Sequence, residues 1–169
     1  AMKTLTIVRH AKSSWKDPSL KDRDRPLNGR GERDAPEMGR RIAQAGIRPS
    51  LIISSPAKRA WTTAKIIARE ISYPQEFLQR EDDLYLASVD GILDVLVAQD
   101  TRFNSIMLFG HNPGMTDFVN YLVPGLTDNL PTCGVVSYSF NRDDWSLYER
   151  PEGQLDFHDY PKKQRDQGQ

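Results

Sequence analysis

The chain has 169 residues, 38% hydrophobic and 27% charged, with 23 Lys and Arg against 23 Asp and Glu. This length supports one full-sized core, so a single domain over residues 1–169 is expected, and the balanced charge excludes a global field for nucleic acid or an anionic membrane. The lone Cys133 excludes an internal disulfide and offers no metal-site spacing.

No apolar run approaches the roughly eighteen residues of a membrane span and no apolar h-region opens the chain, so a cytoplasmic protein is expected, with Ala1 ahead of Met2 reading as a cloning remnant. In chain order, Thr4 to Val8 forms a short apolar, β-branched run, and Leu51 to Ser54 and Ser105 to Phe109 repeat it. Such runs fill strands covered on both faces.

Between the first two, Ala35, Met38, Ile42 and Ala45 recur at helical spacing with Gly46 as a stop, and Pro36 should kink that helix or delay its start. After the second run, Ser55 and Pro56 read as N-cap and first helical residue ahead of Ala60, Trp61, Ala64, Ile67, Ala68 and Ile71. Asn112 and Pro113 give the same start signal before Met115, Phe118, Val119 and Leu122. A further helix is expected around Gly91 to Ala98, a strand at Val135 to Phe140, antiparallel at an edge, and a weaker one at Gly153 to His158. Residues 161–169 are polar and expected to fray.

Strands alternating with helices predict an α/β fold, a three-layer α/β/α sandwich on a mostly parallel sheet, which binds ligands beyond the carboxyl ends of its strands. Arg9 and His10 end the first strand, Arg59 opens the helix after the second, and His111 follows a later one. Read singly, Arg59 is a solvated arginine and His111 a helix-entry histidine. Together, two guanidiniums match a phosphoryl group's oxygens, while a neutral imidazole attacks phosphorus and positive charge beside His10 keeps it unprotonated. Trp15 and Trp61 are expected to be packing residues, and His158 to be structural.

At these residues the sequence resembles the histidine phosphatase superfamily, the branch-one, phosphoglycerate mutase-like proteins, from about Lys3 to Phe140. "VRHAKSSW", "SSPAKRAWTTA" and "LFGHNPG" match its motifs in order, and "RPLNGRGERDA" resembles the segment that opens the first long helix. The small size, "RHAKSSW", "DRPLNGRG" and "GHNPG" resemble the SixA group of phosphohistidine phosphatases. The resemblance implies His10 as phosphorylated nucleophile, Arg9 and Arg59 as phosphate ligands and His111 as the second pocket histidine, with no metal or organic cofactor.

Departures sharpen this. Ala11 replaces the family glycine, which is tolerable unless the backbone needs a positive φ. Lys16 stands where the mutases carry asparagine, and their glutamate acid is missing near Leu86. An alkoxide leaving group needs such an acid, whereas a phosphorylated imidazole can be protonated before cleavage. Glu81, Asp82 and Asp83 are the substitutes at hand, and roles for Lys12, Ser13 and Lys16 stay open. The expected substrate is phosphohistidine on a signalling or phosphocarrier protein, such as a phosphotransfer domain. The alternatives are a phosphatase of small phosphoesters such as sugar phosphates and a non-catalytic phosphate-recognition module.

Overall fold

A computed structural model describes residues 1–163. In chain order the elements are β1 (Met2–Arg9), α1 (Gly29–Gln44), β2 (Leu51–Ser54), α2 (Lys58–Glu70), β3 (Gln79–Arg80), α3 (Val89–Val97), β4 (Ser105–Gly110), α4 (Gly114–Leu122), β5 (Val135–Asn141) and β6 (Gly153–Asp159), with short 3-10 turns at Asp22–Asp24, Gln75–Phe77 and Asp82–Leu84.

The strands form one sheet in the order β3-β2-β4-β1-β5-β6. β3, β2, β4 and β1 run parallel, and β5 is antiparallel to both β1 and β6. Because successive strand side chains alternate sides, Leu5 and Ile7 face one helical layer while Val8 faces the other. The first layer holds Ile92, Leu96, Phe118 and Leu122 of α3 and α4 over Leu5, Ile53 and Leu108. The second holds Met38, Ile42, Ala64 and Ile67 of α1 and α2 over Val8, Ile52 and Met107. This is the expected α/β/α sandwich.

Several local expectations need correction. α1 starts at Gly29, seven residues ahead of Pro36, because Asn28 Oδ1 caps the Gly31 N–H at 2.9 Å and the buried Ala35, Met38 and Ile42 hold the helix through the proline. α2 starts at Lys58 with Ala57 as its cap, not at Ser55 and Pro56, and α4 starts at Gly114 after a cis Asn112–Pro113 bond. β5 lies inside the sheet, since β6 pairs along it and takes the edge. The start of the tail is held: Pro161 is buried, and Arg41 donates to the carbonyls of Tyr160 at 3.0 Å and Pro161 at 3.1 Å. The remaining tail, residues 164–169, lies outside the described residues. Among the described residues no helix is long and apolar enough to cross a membrane.

Two glycines bring loops onto the carboxyl rim. A Cβ on Gly31 would meet the Lys12 carbonyl oxygen at 2.2 Å, and one on Gly114 would meet that of Ala87 at 1.9 Å. Neither approach leaves room for a side chain.

Candidate active site

The four residues singled out from sequence meet at the carboxyl end of the parallel strands, lining a cleft of about 210 Å³ with Lys12, Ser13, Trp15, Arg25, Leu86, Asn112 and Thr132. β1 delivers Arg9 and then His10, whose N–H donates to the Gly110 carbonyl at 3.1 Å while its own carbonyl accepts the Cys133 N–H at 3.0 Å. α2 delivers Arg59, and Thr63 one turn later accepts the Ala11 N–H at 3.0 Å, so α2 is pinned to the segment that carries His10. His111 follows β4 directly.

His10 is buried with Nδ1 2.7 Å from the Ala11 carbonyl oxygen. A carbonyl only accepts, so the proton sits on Nδ1 and the lone pair on Nε2. Burial, opposed by that hydrogen bond and helped by His111, Arg59 and Arg9, pulls its pKa down to about 3. The cation next in sequence is thus the smallest of these causes, and desolvation is the largest. His111 is likewise drawn down to about 3, by burial first and then Arg59. Its Nε2 lies 2.7 Å from Ser55 Oγ, which also accepts the Ala57 N–H at 3.2 Å. With the Ser55 hydroxyl as donor to Nε2, the N–H of His111 lies on Nδ1.

The cations share one design: a terminal nitrogen tied to protein, with other N–H groups left free. Arg9 Nη1 donates to the Leu130 carbonyl at 2.9 Å, Arg25 Nη2 to Ser13 Oγ at 3.0 Å, and Arg59 Nη1 and Nη2 to the carbonyl oxygen and Oδ2 of Asp22 at 2.7 and 2.9 Å. Among the described residues six buried side-chain nitrogens make no hydrogen bond, and five belong here: Nε of Arg9, Arg25 and Arg59, Nη1 of Arg25, and Nδ1 of His111, Arg25 Nε having only an ion-pair contact with Asp22 Oδ1 at 3.4 Å. Buried donors are normally satisfied, so this cluster is built for an anion with several acceptor oxygens. The family model of the histidine phosphatase superfamily (branch 1) matches residues 5–104, the stretch that supplies Arg9, His10, Arg25 and Arg59.

The chain belongs to that superfamily. This histidine phosphatase, a hydrolase, is 31% identical to an uncharacterized chloroplastic protein of Arabidopsis thaliana over 149 residues, 83% of this chain and 68% of the relative. It is 41% identical to a 2,3-bisphosphoglycerate-dependent phosphoglycerate mutase of Thermobifida fusca over 71 residues, 41% of this chain but only 29% of the mutase. Among solved structures it resembles the assigned phosphohistidine phosphatase SixA of Agrobacterium tumefaciens, with a TM-score of 0.79 and 27% identity over 94% of this chain and 98% of the other. A protein histidine phosphatase SixA complexed with tungstate shares the fold, with a TM-score of 0.77 and 20% identity over 94% of this chain and 97% of that one.

The departures from the family pattern now have places. Ala11 is fully buried and is not among the residues with positive φ, so the lost glycine costs no strain. Leu86 lines the cleft at φ 52°, 54% exposed. Among the described residues no acidic one lines the cleft: Glu81 caps its own turn through the Asp83 N–H at 3.2 Å, and Asp82 lies 4.0 Å from Arg23. Lys12 and Ser13 line it and Lys16 does not. Trp15 is not a packing residue, being 74% exposed with the Arg25 guanidinium 3.5 Å from its ring centroid, and Trp61 is half-buried under Arg80 at 4.3 Å.

Sequence reasoning passed over Arg25, Asp22, Tyr85 and the role of Ser55. Arg25 follows no predicted strand and precedes Pro26, so only the loop's return over the rim brings it in. Ser55 was legible as polar at a helix start, but it serves His111 from the next strand.

Proposed function

We propose that this cleft removes phosphate from phosphohistidine on a protein by two in-line transfers, first to His10 Nε2 and then to water. The orphaned N–H groups of Arg9, Arg25, Arg59 and His111 take the equatorial oxygens, where charge gathers in the transition state. The observation that carries this reading is the fixed tautomer of His10. Its Nδ1–H is spent on the Ala11 carbonyl, so Nε2 is unprotonated and bare, and that carbonyl steadies the positive ring formed when Nε2 takes phosphorus.

Among the described residues the lining holds no acid, which favours phosphohistidine over an alkyl phosphate. A phosphorylated imidazole brings a ring nitrogen that water can protonate, and no side chain need donate. The small cleft, about 210 Å³ with the exposed Trp15 on its lining, suits a phosphoryl group presented on a protein surface.

The test mixes the protein with a phosphohistidine-bearing phosphocarrier and follows acid-labile, base-stable phosphate on His10. Trapping on wild type, with none on His10→Ala, is the expected result. Hydrolysis by His10→Ala at the wild-type rate would refute the nucleophile. Turnover confined to sugar phosphates would instead place the protein among the phosphatases of small phosphoesters.

A further inference from the structure

Asp22 stands among the cleft's cations without lining the cleft itself. Its carbonyl oxygen and Oδ2 hold both terminal nitrogens of Arg59, at 2.7 and 2.9 Å. Its Oδ1 lies 3.4 Å from Nε of Arg25, and Oδ2 also accepts the Tyr85 hydroxyl. Tyr85 in turn sets its ring edge-on to His111, with centroids 5.5 Å apart. Among the described residues no other carboxylate pairs with Arg9, Arg25 or Arg59.

Three guanidiniums in a buried cleft would grip any phosphate, and the released product carries nearly the same charge as the group transferred. Binding that favours ground state and product as much as the transition state gives no gain in turnover. A carboxylate behind the arginines lowers the net positive charge by one. It meets Arg59 through the terminal nitrogens and Arg25 at Nε, so Nε of Arg59, Nη1 of Arg25 and Nε of Arg9 keep no partner among the described residues.

We propose that Asp22 sets anion affinity here, as a resident counter-charge that orients Arg59 and lets inorganic phosphate leave. This rests on the reading of the cleft as a phosphoryl-transfer site. Asp22 is a positioning residue, acting through Arg59 and Arg25 rather than on substrate.

The experiment titrates inorganic phosphate and tungstate into full-length wild type and Asp22→Asn by calorimetry, and measures phosphate inhibition of aryl phosphate turnover. Asparagine keeps an oxygen for Arg59 Nη2 but loses the charge. Phosphate is expected to bind about tenfold more tightly, the order set by one unit charge several ångströms away at a partly solvated site, with kcat falling as product is retained. Asp22→Glu, which keeps the charge, should restore wild-type phosphate affinity. A merely structural role moves the reading the other way, since a loosened Arg59 weakens phosphate. Unchanged or weaker binding in Asp22→Asn therefore overturns the proposal, and Asp22→Ser is read on the same terms if the asparagine variant does not fold. Wild type that binds neither probe overturns the phosphoryl-transfer reading and this proposal together, whereas wild type that binds both with no tightening in the variant overturns this one alone.

Discussion

The two ends of β1 each bury cationic side chains, and they treat them in opposite ways. At the start, Lys3 is fully buried, and its three donors go to the carbonyls of Thr101 at 2.9 Å and Phe103 at 3.1 Å and to Asn104 Oδ1 at 3.0 Å. The Trp145 ring covers it at 5.2 Å. At the other end, roughly 20 Å along a strand of this length, Arg9, Arg25 and Arg59 keep N–H groups without partners. A buried cation that is saturated belongs to the fold, and one left unsaturated waits for a ligand.

Four experiments would break or sharpen that contrast. The largest effect is expected at the open end: Arg59→Ala should lower turnover about 10²–10³-fold, the cost of losing a transition-state donor. Its thermal midpoint should move little; a variant that unfolds with its activity per folded molecule intact would put Arg59 with Lys3.

Lys3→Met should do the reverse, costing about 3 kcal/mol of stability by stranding the Thr101 carbonyl and Asn104 Oδ1, while the Phe103 carbonyl keeps its bond from Trp145 and kcat stays at the wild-type value. Denaturant titration beside a kinetic assay reads both, and a kcat that drops would dissolve the distinction between the two ends.

The pH response comes next. His10 and His111 fold as neutral groups with pKa values of about 3, while the unfolded chain protonates its histidines near 6.5. Between those values the unfolded state binds more protons, so the stability these sites contribute is complete above pH 6.5 and is lost as pH falls toward 3. Each histidine should cost up to about 2 kcal/mol between pH 6.5 and 5. Urea midpoints that stay flat over that range would show that burial does not hold these rings neutral.

The smallest effect belongs to Trp15. Trp15→Ala removes the stack on Arg25, worth about 0.5–1 kcal/mol at an exposed site. KM for a phosphohistidine protein should rise a few-fold while phosphate affinity holds. Loss of phosphate affinity in step with KM would make the tryptophan a support for Arg25 instead of a surface for substrate.

Much of the molecule was legible before folding. The apolar runs at Thr4 to Val8, Leu51 to Ser54 and Ser105 to Phe109 lie within or coincide with β1, β2 and β4, because continuous β-branched and apolar residues suit strands covered on both faces. Arg9, His10, Arg59 and His111 could be brought together from sequence alone, since each falls where a strand's carboxyl end or a helix start must lie. Helix starts were less secure: Ser55 has the chemistry of an N-cap and its hydroxyl accepts the Ala57 N–H, but it also meets the buried His111 ring, and α2 begins only at Lys58 because the Ala57 backbone is not helical.

The alternation of β1, β2 and β4 with helices, and the place of Arg9, His10, Arg59 and His111 on one rim, were determined by the sequence itself, through local periodicity and the topology of parallel sheets. The tertiary structure alone decided that His10 presents Nε2, that desolvation more than Arg9 keeps it neutral, that Arg25 joins the cleft, and that Asp22 stands behind two arginines. Those facts depend on which backbone carbonyls and side chains meet across loops far apart in the chain, and hydrogen-bond partners and burial have no signature in local pattern.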